Sequence, residues 1–410
     1  MAASNSPAEK LITENLDIWT STIKKRGSQG RGSSKKIELY GIKKLRELIL
    51  ELAVRGLLVP QDPNDEPASV LLEKIAAEKE QLIKDGKIKK QKALPEISED
   101  EKPFELPNGW EWARLGDITN YGISGKAEPK SVVSETWVLE LEDVEKETSK
   151  LLKKVRFKDR NFKSSKNIFN KGDVIYGKLR PYLDKVLVAD ENGVCTTEMI
   201  PAKAYSVIDS SFLRLAMKAP YFKSYADNST HGMNLPRMGT DKARLALIPI
   251  LSEAEQPRIV AKVDELMALC DQLEQQTETS LLAHQTLVET LLNTLLNADQ
   301  NSFDPAWKRI AQHFDILFTT EHSIDQLKQT ILQLAVMGKL VPQDPNDEPA
   351  SVLLEKITAE KERLIKDKVI KKHPPVEPIG DIKELPTSWK NIVVQDFADI
   401  KLGSTPNRAE

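Results

Sequence analysis

Four side chains that can bind a charged or base-bearing ligand lie within eight residues of one another: Lys178, Arg180, Tyr182 and Lys185. Residues 178–185, the basic turn, follow a run typical of a β-strand and contain a proline, so they should turn and present these groups together. Arginine and lysine can donate to O6 and N7 of guanine, whereas tyrosine can contact a phosphate or stack. The spacing leaves open whether each residue contacts a base, a phosphate or no ligand.

A second segment, the 231–237 loop, carries a similar mixture of side chains, with His231, Asn234 and Arg237. An asparagine amide matches N6 and N7 of adenine. Lys126 and Thr197 complete the set of residues that we predict to contact DNA.

Charge is concentrated around the basic turn. Residues 150–185 hold twelve lysines and arginines against three aspartates, a local charge of +9 on a chain whose net charge is −3. Basic side chains placed on phosphates release condensed counterions, which gives affinity without sequence reading. The alternative is a solvated surface that only keeps this part of the chain soluble.

No catalytic constellation is present. The sequence lacks the glycine-rich phosphate loop, the nucleophile elbow, the zinc motif HExxH and the glycine-rich dinucleotide motif. It also lacks the Asn/Asp-Pro-Pro-aromatic signature of adenine methyltransferases. The five histidines are scattered without ligand spacing, which predicts no metal site. The triplet Asp381-Ile382-Lys383 could suggest a nuclease, but no partner carboxylate accompanies it.

Two cysteines, Cys195 and Cys270, are too few for a disulfide framework, and we interpret both as small buried residues. No apolar run reaches the length of a membrane span, and no signal peptide opens the chain. We therefore expect a soluble cytoplasmic protein without a membrane partner.

The elements that position these residues are organised around a long internal repeat. Residues 49–85 and 331–367 differ at five of 37 positions and are offset by 282 residues. Solenoid repeats recur every ~20–50 residues, so this spacing indicates a repeated helical spacer flanking a larger module. In each copy an apolar helix should end at a glycine, Gly56 or Gly338, and a charged helix should follow, at residues 68–84 in the first copy.

Between the repeats, residues 103–250 contain short β-rich runs such as residues 137–139, 173–176 and 185–189, which predict a globular α+β module. Residues 252–297 then form one long helix, in which Ile259, Val263, Leu266 and Leu273 recur at the 3.5-residue spacing of a coiled coil. Leu327, Ile331 and Leu334 continue such a seam in the second copy. The alternative is an ordinary long helix packed on its own domain.

Taken together, the chain resembles the specificity subunit of bacterial type I restriction-modification enzymes. The repeat LAVRGLLVPQDPNDEPASVLLEKI, the segment GDVIYGKLRPYLDKV and the segment EQPRIVAKVDELMALCDQLE carry the resemblance. It implies a globular α+β target-recognition domain attached to long conserved helices that form an antiparallel coiled-coil spacer. Each recognition domain would read one half of a bipartite DNA sequence.

The resemblance also implies a division into four regions and a set of partners. The regions are a helical region with a linker at 1–102, a target-recognition domain at 103–250, a coiled-coil spacer with a linker at 251–382, and the start of a truncated second recognition domain at 383–410. The chain itself would be non-catalytic and would bind no cofactor. Two methyltransferase subunits with S-adenosylmethionine and restriction subunits with ATP and Mg would bind it, and a second copy could pair with it.

Two other functions remain open from the sequence. One is a coiled-coil adaptor or scaffold whose basic module binds protein or RNA. The other is a free-standing nuclease or methyltransferase.

Overall fold

The computed structural model describes residues 7–25, 37–232, 234–299, 301–372, 374, 376 and 385–398. The expected loop at residues 26–34, the triplet at 381–383 and half of region 383–410 lie outside them. The chain divides into two compact units, Met1–Thr277 and Glu278–Glu410. Among the described helices, none is both long and apolar enough to span a membrane.

The helices occupy both units. In chain order they are α1 Pro7–Thr13, α2 Leu16–Ser21, α3 Tyr40–Val54, α4 Ala68–Lys84, α5 Leu115–Ile118, α6 Ser210–Lys218, α7 Pro220–Asn228, α8 Thr240–Leu245, α9 Glu255–Asn297, α10 Phe303–Gln312, α11 Phe314–Leu317, α12 Glu321–Val336, α13 Ala350–Lys366 and α14 Val394–Phe397.

The described strands all lie in the first unit. They are β1 Lys24–Lys25, β2 Ile37–Glu38, β3 Glu111–Arg114, β4 Lys126–Ala127, β5 Trp137–Leu139, β6 Lys166–Phe169, β7 Val174–Gly177, β8 Val186–Val188, β9 Gly193–Cys195, β10 Met199–Ala202, β11 Thr230–His231, β12 Arg237–Met238 and β13 Leu247–Ile250. Together with the helices they confirm the α+β class.

Two sheets form the centre of the module. One has the order β4-β6-β9-β5, with β5 and β9 parallel, and the other is antiparallel with the order β10-β7-β8. Because side chains alternate along a strand, Ile175 of β7 faces Trp137 and Phe169 of the first sheet. Its neighbours Val174 and Tyr176 belong to a second apolar cluster with α6 and α7. The middle strand that leads into the basic turn is therefore buried on both faces.

The repeat folds as the sequence predicts. α3 and α12 both end in a glycine with positive φ, 67° at Gly56 and 68° at Gly338. The next residue in each copy returns a hydrogen bond to the helix, Leu57 N to Leu52 O at 3.0 Å and Lys339 N to Leu334 O at 2.9 Å. This is the glycine-dependent Schellman ending, which satisfies the last carbonyl groups of the helix.

The apolar stripe in the first half of the long helix is buried. Ile259, Val263 and Leu266 are buried in one cluster with Ile42 and Ile49 of α3. Cys270 is buried there too, and Leu273 lies partly buried against it. α9 is thus fixed to the first copy of the repeat by its apolar stripe.

The second half of α9 packs on the second copy through a smaller cluster. Leu292 and Leu295 are buried with Leu334 of α12, and Leu327 is partly buried there. Ile331 is less buried than these neighbours, and its side chain is 40% exposed. Its counterpart Ile49 is fully buried in the cluster that includes α9 and the module helix α6. Ile331 as a residue of a coiled-coil seam stays a prediction, as does the antiparallel coiled coil itself.

The corner that leads from the repeat into the module contains a buried carboxylate in the first copy. Glu255 at the start of α9 accepts hydrogen bonds from Trp110 Nε1 at 3.0 Å and from Gln61 Nε2 at 2.7 Å. Burial raises the pKa of Glu255. The second copy repeats the backbone contact of this corner, with Ala68 N to Gly109 O and Ala350 N to Ser388 O both at 2.8 Å.

Trp110→Phe should lower the free energy of unfolding by about 1.5–3 kcal/mol, because it removes a hydrogen bond to a charged acceptor that stays buried. The matched control is Trp389→Phe in the second copy. Trp389 is 38% exposed, and its indole nitrogen makes no hydrogen bond to the residues that the structure describes. Urea unfolding followed by circular dichroism would measure both variants. Equal losses of unfolding free energy in the two variants would show that the hydrogen bond from Trp110 to Glu255 does not stabilise the fold.

Candidate nucleic-acid interface

The two segments singled out in the sequence lie side by side. Arg180 N donates to Pro236 O at 2.7 Å, and Met238 N donates to Lys178 O at 3.0 Å. Leu179 and Arg237 form an antiparallel bridge between the segments. The basic turn and the 231–237 loop therefore form one continuous surface, although about 50 residues separate them in the chain.

The basic turn has an unusual backbone. Residues Pro181–Leu183 form a single 3-10 turn, and the residues on either side are left-handed, with φ 51° at Arg180 and 50° at Asp184. Leu183 N donates to Arg180 O, and Asp184 N donates to Pro181 O. Left-handed residues other than glycine cost about 1–3 kcal/mol each, so the surrounding structure must hold this turn in shape.

The turn exposes two of its predicted contact residues. Arg180 is exposed and Tyr182 is 46% exposed, while Lys178 is half-buried. Neither Arg180 nor Lys178 has a carboxylate partner among the residues that the structure describes. Both cations therefore have no internal counter-charge in the described part of the chain.

Lys185 is held differently from the other three. Its Nζ donates to Leu141 O at 2.7 Å, and burial lowers the pKa of its amine. The amine is thus bonded to the protein backbone in this structure, although Lys185 was predicted as a DNA contact.

The 231–237 loop presents exposed side chains and one ion pair. His231 and Asn234 are exposed. Arg237 donates through Nε to Glu198 at 3.0 Å, which raises the pKa of its guanidinium. Nη1 of the same guanidinium donates a hydrogen bond to Leu235 O at 3.3 Å.

Lys126 and Thr197 lie on two other elements of the module. Lys126 is exposed on β4 and hydrogen-bonded to Asn167 of the neighbouring strand β6. Thr197 is exposed in the turn between β9 and β10, next to Glu198. Glu198 O accepts from Lys178 N at 3.0 Å, so the turn that carries Thr197 borders the basic turn.

Half of the positive stretch at residues 150–185 is neutralised by carboxylates from flanking segments. Six basic residues form ion pairs with acids outside the stretch, so their charges serve the fold as well as the surface. The pairs are Lys153 with Glu142 and Asp143, Lys154 with Asp190 and Glu191, Arg156 with Glu191, Lys158 with Glu135, Arg160 with Glu142 and Asp143, and Lys166 with Glu140. The local charge of +9 in the sequence therefore overstates the free positive charge of this surface.

Two functional candidates were not visible in the sequence. Glu198 connects the basic turn to Arg237, and Lys218 of α6 places its amine under the basic turn. Both act through contacts between residues that are 20 to 71 positions apart in the chain. No local motif marks such partners, because only folding brings them together.

Nothing in the described part of the chain groups three potential metal ligands. Cys195 and Cys270 are both buried free thiols, as the sequence predicts. Burial raises the pKa of both, to about 11 for Cys270, which disfavours their reactive thiolate forms.

Comparison with known proteins places the chain in a class. It is 49% identical over 401 residues to the EcoAI specificity subunit of Escherichia coli, covering 93% of this chain and 67% of that protein. It is 49% identical over 398 residues to the EcoEI specificity subunit of the same organism, covering 93% of this chain and 66% of that protein. No protein-family model matches the chain.

Solved structures give a weaker likeness. A crystal structure of the HsdS subunit from Thermoanaerobacter tengcongensis matches with 22% identity and a TM-score of 0.40, over 48% of this chain and 53% of that chain. A chain from a type I restriction-modification complex matches with 23% identity and a TM-score of 0.43, over the same shares.

The protein is thus a specificity component of a restriction system. It belongs to the family of type I restriction enzyme specificity subunits. This membership supports the DNA-recognition role over the alternative of an adaptor that binds protein or RNA. The aligned part spans about two thirds of the length of these relatives.

Lys154 of the positive stretch is in an internal ion pair and Lys178 has no such partner among the described residues, so their substitutions should affect DNA binding differently. Lys178→Met should make the slope of log affinity against log salt on duplex DNA shallower by about 1. One phosphate contact is lost, so fewer counterions are released on binding. Lys154→Met should leave the slope unchanged, since its amine lies 2.7 Å from Asp190. Filter binding across a salt series measures both slopes. An equal reduction of the slope in both variants would show that internal ion pairs do not decide which basic residues contact DNA.

Proposed function

We propose that this chain reads one half of a bipartite DNA sequence, with the basic turn and the 231–237 loop as the reading surface. The observation that carries the proposal is the contiguity of these segments. Their backbones are bonded to each other at 2.7 Å and 3.0 Å, and the turn exposes Arg180 without a carboxylate partner among the described residues.

Each exposed group has a chemistry that suits a nucleic acid. Arg180 can form two parallel hydrogen bonds to guanine, and Asn234 can do the same with adenine. Tyr182 and His231 can stack on a base or donate to a phosphate. Lys178 supplies charge beside them, Thr197 extends the surface along the neighbouring turn, and Lys126 adds a contact from strand β4.

Two of the predicted contacts have internal partners that limit their role. Lys185 is bonded to a backbone carbonyl, and Arg237 is paired with Glu198. In this proposal Arg237 contacts DNA with its remaining donors and orients the loop. Lys185 supports the turn and contributes charge at longer range.

The rest of the proposal concerns the assembly. The chain is non-catalytic, binds no cofactor and acts in the cytoplasm, where the DNA is. Two methyltransferase subunits that carry S-adenosylmethionine bind it, and restriction subunits with ATP and Mg join the complex. The packing of α9 on α3 supports the spacer role, because it anchors the module to the first half of a helix of 43 residues.

Arg180→Ala should weaken binding to the preferred duplex by about 1–3 kcal/mol and relax one position of its sequence. The preferred duplex is obtained by selection from a randomised pool with the full chain, and a shuffled duplex of the same composition gives the background. Arg156→Ala is the matched control, because that arginine lies in the same stretch but is paired with Glu191. Unchanged selectivity in Arg180→Ala would contradict the placement of the reading surface.

Duplex affinity across a salt series also separates the two functions. DNA recognition predicts measurable binding that falls steeply with salt, whereas an adaptor for another protein predicts little binding at any salt.

Pairing with a second copy is the remaining partner that we propose. The second repeat supports it, because Leu332 and Val336 of α12 are 59% and 72% exposed whereas their counterparts Leu50 and Val54 are buried. Light scattering should find two copies in the free protein or in its methyltransferase complex. Strictly one copy in both would contradict the pairing.

A further inference from the structure

A buried amine lies beneath the basic turn. Lys218, the last residue of α6, is 8% exposed, and its Nζ lies 2.8 Å from Glu147 O, 2.8 Å from Ser149 Oγ and 2.9 Å from Asp184 Oδ2. An ammonium group has three donors, so these three acceptors account for its capacity. All three acceptors belong to loops on the module surface.

The residues around this amine share a strained backbone. Glu147, Ser149, Arg180 and Asp184 have φ between 50° and 67°, and only one other non-glycine residue of the described chain has a positive φ. Three of the four accept hydrogen bonds from Lys218, and the fourth, Arg180, begins the 3-10 turn that Asp184 ends. Such conformations persist only where the surroundings hold them.

Further hydrogen bonds connect the two loops at this point. Ser149 Oγ donates to Asp184 O at 2.7 Å and accepts from Val186 N at 3.0 Å. Glu147 N donates to Leu183 O at 2.9 Å. The 147–149 segment and the end of the basic turn therefore form one bonded unit with the Lys218 amine at its centre.

A purely stabilising role explains this arrangement poorly. Burial lowers the pKa of Lys218 and raises that of Asp184, which shows that the site disfavours both charges. Well-packed apolar residues of similar size are often as stable as a buried ion pair, so such a pair is better suited to specify a conformation. The conformation specified here is that of the turn that exposes Arg180 and Tyr182.

We infer that Lys218 is a positioning residue for DNA reading: its amine holds the 180–184 turn, whose two ends Arg180 and Asp184 are left-handed, in the shape that presents Arg180 and Tyr182. The inference rests on the proposed function, because it assumes that this turn reads bases. Lys218 itself contacts no DNA in this scheme, so it should influence selectivity and leave the salt dependence of binding unchanged.

The test uses the full chain with three substitutions. Lys218→Met removes the amine with little change of volume, and Lys218→Arg restores a buried cation with several donors. Lys223→Met is the matched control, since Lys223 lies half-buried on the next helix and acts on Asp184 only through its charge, so the substitution removes a nearby charge without a hydrogen bond. Hydrogen exchange at the amides of Leu183 and Asp184 reports the shape of the turn. The affinity ratio between the selected duplex and its shuffled counterpart reports reading.

Lys218→Met should speed exchange at both amides and lower the affinity ratio by about 5- to 150-fold, the range that one lost base contact gives. Its salt slope should match the wild type. Lys218→Arg should recover at least part of the ratio, and Lys223→Met should behave as the wild type.

Two results would overturn the inference directly. One is unchanged exchange in a folded Lys218→Met protein. The other is faster exchange with an unchanged affinity ratio while Arg180→Ala lowers that ratio. If Arg180→Ala also leaves the ratio unchanged, the proposed reading surface itself fails and the inference with it. If the Lys218→Met protein does not fold, Ser149→Ala takes its place in the test. This substitution removes the hydroxyl that is hydrogen-bonded to Lys218, Asp184 and Val186 and changes no charge. The same two results would overturn the inference.

Discussion

The fold of the first unit depends on one constraint: the apolar face of the first repeat must be buried. Val54 and Leu71 of this repeat share a core with the sheet and helices of the module, while Ile49 shares another with α9 and with Phe212 of α6. Burying each such side chain is worth about 1.5–3 kcal/mol. The repeat, the module and the first half of α9 therefore fold as one body. The proposed reading surface on the module is therefore held in a fixed relation to the start of the long helix.

Many of the basic residues of the module form internal ion pairs, which leaves fewer of them free to bind DNA. Carboxylates of residues 135–143 and 190–191 pair with basic residues that the sequence alone presents as a positive patch. Such pairs orient the loops that carry them, and the exposed ones add little stability. The cations without internal carboxylates are then few, and Arg180 stands on a strained turn among them. Selectivity in this protein is expected to depend on the shape of a few loops more than on total charge.

Much of this structure was predictable because its signals are local. The ends of α3 and α12 follow from Gly56 and Gly338, since a left-handed helix ending favours glycine. The strand at residues 137–139 was predicted with the bounds that the structure shows. The candidate loops were also identified by their residue types. The surroundings of Lys185 and Ile331 were not predictable, because Leu141 and the covering of an apolar face are distant in the chain, and the roles predicted for both residues stay predictions.

The sequence by itself determined the repeat, its helices and the long helix, several strands, the α+β class and the family, because these depend on periodicity, turn chemistry and residue identity along short stretches. Tertiary structure alone decided which basic residues keep a free charge. It also decided that the two candidate loops are neighbours and that the Lys218 amine lies under one of them. These facts depend on contacts between groups tens of residues apart, and the free energy that brings such groups together comes from burial of the whole core.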